Sequence, residues 1–411
     1  MEFLTGVYLV YAFVSFYSLF LFLLIYLKDK QNFNYSPPIT KEYSLSVVVP
    51  CWNEEKTIGS VIENLLENDY CGLKKIIIVD DCSTDNSYAV INNYVQKYPQ
   101  LIQLVQTPKN TGNAGGAKSY GSKFVKTELI GFTDADSFPK KDSISKMIGF
   151  FDDVQVGAVT ASVLVKNRNT FVGKLQSIEY KFIRFSRKLL QYIDGIYATP
   201  GPLAIYRKTA FDDVGGFDVK NLTEDIEITW HLQMKGYKIM MSTGSFVYCE
   251  SPENLKNWFK QRNRWNVGGL QTIIKYSKYW FRKGMLGNFI LPFFVSSWVI
   301  SIFGMGVLVY RLSRSFILEL LSTKYSLAAE TAFMTLKDIN LTPNILVFFG
   351  LSVFALTLFS TFLALKNIEE KDYKSEGALS IMAFLIFYVM VWPIVLIISI
   401  YKLSLGKVAW R

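Results

Sequence analysis

Apolar residues gather at the two ends of the chain, whereas the middle alternates short apolar runs with polar stretches. One long apolar run covers about 7–27, and three more cover about 285–310, 345–365 and 378–400. Each has roughly the 20 residues that a helix needs to cross a bilayer core of about 30 Å. The pattern therefore predicts four membrane segments, and the mixed stretch 315–336 is interpreted as an external or re-entrant piece.

The middle of the chain has the pattern of an α/β domain. Short β-branched runs predict buried parallel strands at 45–49, 76–79, 101–105 and 129–132. Helical stretches alternate with them at 55–68, 85–97, 113–126 and 142–152. A sheet of this kind places its ligands beyond the carboxyl ends of its strands.

Two further stretches predict helices that lie on a membrane surface. Between Phe171 and Tyr192, apolar residues recur at steps of three and four, and basic residues line the other sides. The alternative for this stretch is an ordinary amphipathic helix that packs on the domain. The second stretch, 255–280, is rich in Trp, Tyr, Arg and Lys and leads into an apolar run.

Charged residues next to the apolar segments indicate the topology. Lys28 and Lys30 follow the first segment, which places the next part of the chain in the cytoplasm by the positive-inside rule. The charged stretch 366–374 also fits a cytoplasmic loop, yet four crossings would leave the basic C-terminus outside. Either the positive-inside rule fails there or one segment does not cross, and the predicted break at Trp392-Pro393 points to the last segment.

Composition supports a membrane protein that binds phosphate. Of 411 residues, 50% are hydrophobic, and the net charge is +10. The basic residues cluster beside the apolar segments, which favours lipid headgroups and phosphorylated substrates over nucleic acid. Four scattered cysteines and a single histidine argue against a structural zinc site.

Polar residues follow the predicted strands at their carboxyl ends. Pro50, Asn53 and Glu54 follow the first strand, Asp81 follows the second, and a glycine-bearing turn at 110–118 opens the next helix. A carboxylate at a strand tip can accept hydrogen bonds from a base or ribose, and the exposed N–H groups of a glycine turn can bind phosphate. Simple capping of the following helices is the alternative.

The fourth predicted strand runs into Asp134-Ala135-Asp136. Alternate residues at the end of a strand place the two carboxylates close together, and like charges there are costly unless a cation joins them. Mg²⁺ or Mn²⁺ suits this position, because either ion binds a few carboxylates and completes its shell with phosphate oxygens. Such an ion would offset the charge on a departing diphosphate.

Two motifs downstream complete the set. Thr223-Glu224-Asp225 precedes a helical run and offers a general base for an acceptor hydroxyl, with a helix N-cap as the alternative. On the second surface helix, Gln261, Arg264 and Trp265 share a face. Arginine suits bidentate phosphate binding and tryptophan suits stacking on a sugar, although a basic-aromatic membrane belt has the same composition.

In this order the motifs resemble those of the membrane-integrated family 2 glycosyltransferases, which include hyaluronan, chitin-oligosaccharide, cellulose and poly-N-acetylglucosamine synthases. The resemblance runs from about residue 45 to the C-terminus. Its most specific elements are Asp134-Ala135-Asp136 (DxD), Thr223-Glu224-Asp225 and the QxxRW motif at 261–265. Gly201, Pro202 and Leu203 begin a segment similar to the acceptor side of hyaluronan synthases, with a buried strand after a turn as the alternative.

The resemblance implies a GT-A fold and an inverting transfer from a nucleotide-sugar, such as a UDP-sugar, that forms a β-linkage. It implies that Asp225, with Glu224 beside it, is the catalytic base, that Asp136 and Asp134 bind Mn²⁺ or Mg²⁺, and that Trp265 lines the acceptor site. The implied donor-binding residues are Pro50, Asn53, Glu54, Asp81, Asp134, Gln261 and Arg264. Many of these synthases carry a lysine where this chain has Asn113, and Lys118, further along, is the candidate donor-binding lysine.

The expected organisation is a membrane anchor at 1–30, a cytoplasmic GT-A domain at 40–252, a surface helix at 253–284 and a membrane region at 285–411. Such a chain would be a multi-pass protein of the cell membrane. The leading hypothesis is a processive synthase that threads a polysaccharide through its own helices. The alternatives are transfer of one sugar to a ceramide- or polyprenol-type lipid, and an inactive sugar-binding or translocating protein.

Overall fold

The computed structural model describes residues 2–328, 345–368 and 376–406. Its centre is an eight-stranded sheet in the order β3-β2-β1-β4-β7-β6-β8-β5. The strands are β1 Leu45–Cys51, β2 Leu73–Asp80, β3 Ile102–Gln106, β4 Leu129–Phe132, β5 Ser137–Pro139, β6 Val156–Val165, β7 Ala204–Arg207 and β8 Lys238–Cys249.

The four predicted strands are confirmed as β1 to β4, and they pair in parallel. β7 runs antiparallel to β4 and β6, which makes the whole sheet mixed. Both faces of β1 are buried, with Val47 and Val49 in one apolar cluster and Val48 in another. This two-sided burial explains why the strand is apolar at consecutive positions.

Twelve α-helices accompany the sheet in the described residues. They are α1 Glu2–Asp29, α2 Ile58–Leu66, α3 Ser87–Lys97, α4 Ala114–Ser122, α5 Ser145–Ile148, α6 Phe171–Gln191, α7 Lys208–Asp213, α8 Glu224–Met234, α9 Leu255–Tyr276, α10 Leu291–Ala328, α11 Ile345–Lys366 and α12 Ala378–Ser404.

The predicted helix 142–152 is wrong in its extent, because α5 is a single turn that passes into a 3-10 turn at Gly149–Asp152. Gly149 lies directly beneath the segment that enters the domain. A Cβ on Gly149 would stand 2.3 Å from the carbonyl oxygen of Pro37. The segment around Pro37 therefore packs directly on the backbone of Gly149, at the point where the predicted helix gives way to the 3-10 turn.

Four helices of the described ranges are long and apolar enough to cross a membrane, and they correspond to α1, α10, α11 and α12. α10 has 38 residues, or about 57 Å at 1.5 Å per residue, which exceeds the thickness of a bilayer core. Residues 315–328 of the stretch predicted to be external or re-entrant are helical and continue α10, and their position relative to a membrane stays a prediction. The rest of that stretch, 329–336, lies outside the described residues.

The predicted break at Trp392-Pro393 is also wrong, because α12 continues through Pro393. A proline removes one backbone hydrogen bond, and neighbouring helices can support the helix around it. Here α12 packs against α6, α9 and α10. The charged stretch 369–375 and the basic residues Lys407 and Arg411, on which the topology argument also depended, lie outside the described residues.

Helix α6 lies between the sheet and the apolar helices, in contact with β6, β8, α11 and α12. Its basic side, predicted to face lipid headgroups, is instead buried in protein from Lys181 onward, whereas Lys174 is exposed. Lys181 forms an ion pair of 2.5 Å with Glu376. Arg184 donates to the Ser162 hydroxyl and to the carbonyl oxygens of Thr243 and Asn367, at 3.0–3.1 Å. The basic residues therefore join the domain to the helices next to it.

A second buried ion pair joins α6 to α9. The guanidinium of Arg262 is fully buried and donates to both carboxylate oxygens of Glu179, with Nε 2.9 Å from Oε1. The Arg262 guanidinium carbon also lies 4.1 Å from the centre of the Trp265 ring. The pair therefore fixes the tryptophan of the QxxRW motif against α6.

Substitution Glu179→Gln is expected to destabilise the fold, because it leaves the buried Arg262 charge without its partner. Breaking a buried pair typically costs about 3–5 kcal/mol. Glu42→Gln is the matched control, since its pair with Lys74 is exposed and such pairs contribute about 0–1 kcal/mol. Thermal unfolding in detergent measures both variants. Equal unfolding midpoints for the two would show that the buried pair contributes no more than the exposed one.

Candidate functional site

A cavity of about 670 Å³ opens at the carboxyl ends of β1, β2 and β4 and extends to α9, α10 and α12. It gathers residues from every motif that the sequence singled out. The predicted site residues that line it are Pro50, Asn53, Glu54, Asp81, Lys118, Asp134, Asp136, Gly201, Pro202, Glu224, Asp225, Gln261, Arg264 and Trp265.

Leu203 is the exception among the predicted site residues. Its side chain is fully buried in the apolar cluster beneath the sheet and does not line the cavity. Its backbone carbonyl accepts from Ala161 at 3.1 Å. Leu203 lies at the entrance to β7, where side chains alternate between the two faces, so its side chain turns away from the cavity and its predicted acceptor-binding role stays a prediction.

The loops after β1 and β2 are joined by Asn53. This residue has a left-handed backbone, with φ 56°, and its side-chain oxygen accepts from the Thr84 amide at 2.7 Å. Its own amide donates to the Ser83 hydroxyl at 3.0 Å. Asparagine tolerates this conformation better than most residues. These hydrogen bonds thus fix the turn after β1 to the loop after β2 at the mouth of the cavity.

Asp81 organises the glycine-bearing turn. Its carboxylate accepts from the Thr107 hydroxyl at 2.8 Å and from the amide and hydroxyl of Thr111 at 2.8–3.1 Å. Asn113 in the same turn caps α4 by accepting from the Gly116 amide at 2.8 Å. The turn is therefore a capped helix start, fixed by the carboxylate at the end of β2.

Lys118 lies one turn further along α4 and is 2% exposed. Its ammonium lies 3.0 Å from the carboxylates of both Asp134 and Glu224. The predicted donor-binding lysine therefore pairs with a carboxylate of the DxD motif and with a carboxylate of Thr223-Glu224-Asp225. Burial opposes charge on Lys118, but the two carboxylates outweigh it and raise its pKa. Burial likewise opposes ionisation of Glu224, and Lys118 outweighs it and lowers the pKa of that carboxyl.

Asp136 has the opposite environment. Burial, together with the charges of Asp134 and Glu54, raises the pKa of Asp136 to about 7. Within the described residues, no group of three or more His, Cys, Asp or Glu side chains stands ready to hold a metal by itself. A divalent ion of the Mg²⁺ type needs only one or two carboxylates when substrate phosphates complete its shell. The uncompensated carboxylate of Asp136 fits such an ion.

Asp225 lies in the first turn of α8 and is partly exposed to the cavity. One of its carboxylate oxygens accepts from the Ile226 amide at 3.0 Å. Burial and the neighbouring charge of Glu224 raise its pKa to about 6. A carboxylate with a raised pKa at a cavity wall can accept a proton, which is the property of a general base.

Helix α9 supplies the wall opposite the strand ends. Arg264 donates to the Leu222 carbonyl at 3.2 Å, just before Glu224, and Gln261 accepts from Arg262. The Trp265 ring lies next to both the Arg262 guanidinium and the Tyr180 ring. Arg262 and Trp258, which the sequence also allowed to be a membrane belt, are buried.

The sequence motifs missed the part of the wall that comes from α6 and the segment after it. The cavity-lining residues of that part are Glu179, Tyr180, Ile183, Arg184, Arg187, Tyr197 and Ala198. The apolar and basic periodicity of 171–192 was the available signal. It indicated an amphipathic helix, but it could not show that the polar side faces a cavity.

Comparison with known sequences identifies relatives. The family model described as "Glycosyltransferase like family 2" matches residues 43–268. Poly-beta-1,6-N-acetyl-D-glucosamine synthase of Staphylococcus aureus (strain COL) is 32% identical over 233 residues, which is 56% of this chain and 56% of that protein. The protein of the same name from Staphylococcus epidermidis is 29% identical over 280 residues, 65% of this chain and 67% of that one. The chain thus spans about half the length of the S. aureus relatives it matches.

Among solved structures, the fold is similar to that of a mannosyltransferase from Pyrobaculum calidifontis, determined in complex with GDP-Man and Mn²⁺. The TM-score is 0.60 at 19% sequence identity, and the alignment covers 96% of this chain and 97% of the other. At this identity the similarity concerns the fold, and it confirms the predicted GT-A-like α/β domain with apolar helices.

Substitution Gly201→Ala is expected to distort the acidic wall, because an added Cβ would stand 2.4 Å from Oδ2 of Asp134. The carboxylate is held by Lys118 and can move away only by losing that ion pair. We expect the affinity for a nucleoside diphosphate with Mn²⁺ to fall about tenfold, or about 1.4 kcal/mol, in a binding titration. Gly377→Ala is the control, because its Cβ would meet open space. Unchanged affinity in Gly201→Ala would refute this role of the glycine.

Proposed function

Because this chain belongs to glycosyltransferase family 2, we propose that it transfers a sugar from a nucleotide-sugar donor to a growing β-linked polysaccharide. The observation that carries the proposal is the cavity. Residues of the DxD, Thr223-Glu224-Asp225 and QxxRW motifs line it together, and its lining continues to residues of the apolar helices α10 and α12. Because the relatives are poly-N-acetylglucosamine synthases, UDP-N-acetylglucosamine is the first donor to test.

The donor would lie at the strand ends. The nucleoside would contact the turns after β1 and β2, where Pro50, Asn53, Glu54 and Asp81 line the cavity. Its diphosphate would face Arg264 and Gln261 on α9, and guanidinium groups bind phosphate in a bidentate manner. Asp134, held by its ion pair with Lys118, would contact the donor from the wall of the cavity.

Asp136 and Asp134 would hold a Mn²⁺ or Mg²⁺ ion. When bound, such an ion supplies positive charge that stabilises the departing diphosphate. Asp134 and Glu224 both pair with Lys118 at 3.0 Å.

Asp225 would act as the base. It would take the proton of the acceptor hydroxyl while that oxygen forms a bond to the anomeric carbon. The bond between the anomeric carbon and the diphosphate breaks in the same step, and the nucleoside diphosphate leaves with the electron pair. Attack from the side opposite the leaving group inverts the anomeric centre.

The acceptor would enter from the other end of the cavity. Gly201 and Pro202 line the wall next to Asp134, and Trp265 offers a ring on which a sugar can stack. Beyond Trp265 the lining passes to Phe294 and Trp298 of α10 and Trp392 of α12. This continuity supports coupling of synthesis to passage of the product between the apolar helices.

The proposed location is the cell membrane, with the catalytic domain in the cytoplasm. Four apolar helices of membrane-spanning length support membrane association. Lys28 at the end of α1 supports the orientation, because basic residues flank the cytoplasmic ends of membrane helices.

The purified chain in lipid, with Mn²⁺ or Mg²⁺ and a panel of UDP- and GDP-sugars, tests the proposal. Released nucleoside diphosphate and product size are measured together. Metal-dependent release with a long polymer is the expected result. Release with a single sugar attached to lipid would replace the synthase proposal with that of a lipid glycosyltransferase, and donor binding without turnover would indicate a non-catalytic protein.

Substitution Asp225→Asn is expected to lower turnover by at least about 100-fold, the usual scale for loss of a general base. Donor affinity should stay within about twofold, because the amide keeps the shape of the side chain. Asp69→Asn, on the exposed surface, is the control for both measurements. Near-normal turnover in Asp225→Asn would show that another group accepts the proton.

The pH dependence of turnover follows from the raised pKa of Asp225, which is about 6. The base must be ionised to accept a proton, so in saturating Mn²⁺, which would keep Asp136 ionised, activity should be full above this value. Below it, activity should fall about tenfold for each pH unit, as the ionised fraction does. A profile of kcat/KM between pH 4.5 and 8 measures this limb. A profile that stays flat down to pH 5 would contradict the assignment.

A further inference from the structure

Arg187 is a buried cation that the proposed reaction leaves without a role. It lies on α6, lines the cavity and is 6% exposed. Among the residues that the structure describes, its Nε has no hydrogen-bond partner and no carboxylate pairs with its guanidinium. An arginine cannot escape this situation by losing its proton.

The other buried cations of this helix have partners, although not every partner is a carboxylate. Arg184 donates to the Ser162 hydroxyl and Lys188 to the Met241 carbonyl. On the same helix, Lys181 pairs with Glu376, and across the interface Arg262 pairs with Glu179. Lys118 in the same cavity pairs with two carboxylates. A buried charge costs several kcal/mol of stability unless a partner compensates it. Within the described residues, Arg187 has no anionic partner.

The surroundings of Arg187 indicate the chemistry of a missing partner. Its guanidinium carbon lies 5.9 Å from the centre of the Tyr197 ring, and that ring lies 4.8 Å, edge to face, from the ring of Phe294. Phe294 in turn contacts Trp298, one turn further along α10. These three rings form an aromatic wall that begins at the cation and follows a helix of membrane-spanning length.

A second orphaned donor lies in the same cavity. The side-chain Nδ2 of Asn266 is buried without a hydrogen-bond partner among the described residues. Asn266 precedes Gly269 by one turn of α9, and a Cβ on Gly269 would stand 3.4 Å from the Trp298 ring. Two unsatisfied donors therefore border the aromatic wall, and both would be satisfied by oxygen atoms of a ligand.

We propose that Arg187 binds the phosphate of an amphiphilic ligand whose apolar chain lies along Tyr197, Phe294 and Trp298. Phosphate matches the guanidinium in charge and in its paired oxygens. The aromatic wall matches an apolar chain that enters from the membrane. The site lies at the acceptor end of the cavity and goes beyond the proposed polymerisation, since a neutral sugar chain would leave the Arg187 charge uncompensated.

Binding of three probes to the full-length chain in lipid nanodiscs tests the proposal. Farnesyl phosphate and farnesol share an apolar chain and differ in the phosphate, and inorganic phosphate lacks the chain. We expect farnesyl phosphate to bind at least about tenfold more tightly than either of the others, because hydrogen bonds to charged groups are the strong ones. Equal affinity for farnesyl phosphate and farnesol would overturn the proposal. Equal affinity for inorganic phosphate would show a free-anion site and overturn its lipid part.

Variants assign the preference to the residue. Arg187→Gln should abolish the preference for farnesyl phosphate, Arg187→Lys should keep part of it, and Lys174→Gln, exposed on the same helix, should keep all of it. A preference that survives in Arg187→Gln would overturn the proposal. UDP binding is measured in parallel, and a tenfold loss of UDP affinity in Arg187→Gln would instead assign the cation to the donor. None of these measurements requires sugar transfer, so failure of the proposed reaction would be seen separately.

Discussion

The ion pairs of Lys118 are the interaction on which the site depends. One buried ammonium lies 3.0 Å from Asp134, after β4, and 3.0 Å from Glu224, at the start of α8. Without that cation, the buried carboxylate of Glu224 would lack a partner, at a cost of several kcal/mol, and the half-buried Asp134 would lose its ion pair. Gly201 lies against Asp134, and Asp225 follows Glu224. The acidic wall, the acceptor segment and the proposed base therefore take their positions from one cation.

Helix α6 carries this arrangement to the apolar helices. It contacts β6 and β8 on one side and α11 and α12 on the other, and its polar residues face the cavity or form buried ion pairs. The Glu179–Arg262 pair holds Trp265 in the wall of the cavity. If α6 only attached the domain to a membrane surface, its charged residues would face lipid headgroups. They instead form buried ion pairs with Glu376 and with Arg262. The structure instead makes the catalytic domain and the apolar helices share one wall.

The parts of the fold that follow local patterns were predictable from the sequence. Strands β1, β2 and β4 are buried at consecutive apolar positions, and the edge strand β3 follows the same alternation of strands and helices along the chain. The DxD, Thr223-Glu224-Asp225 and QxxRW motifs, placed at strand and helix ends, meet in one cavity. What failed depends on contacts between distant residues. The partners of Lys118, the burial of Arg262 and Arg187, and the continuation of α12 through Pro393 are set by packing, which periodicity does not record. Leu203 was assigned to the cavity by resemblance, and strand alternation places it in the core.

A structure of the protein with UDP and Mn²⁺ tests the account most directly, because it locates donor and ion without relying on turnover. We expect the uridine between the turns that carry Asn53 and Asp81, the ion on Asp136, and the diphosphate facing Arg264, with Lys118 still between Asp134 and Glu224. A nucleotide bound outside this cavity, or an ion held away from Asp136, would contradict the account.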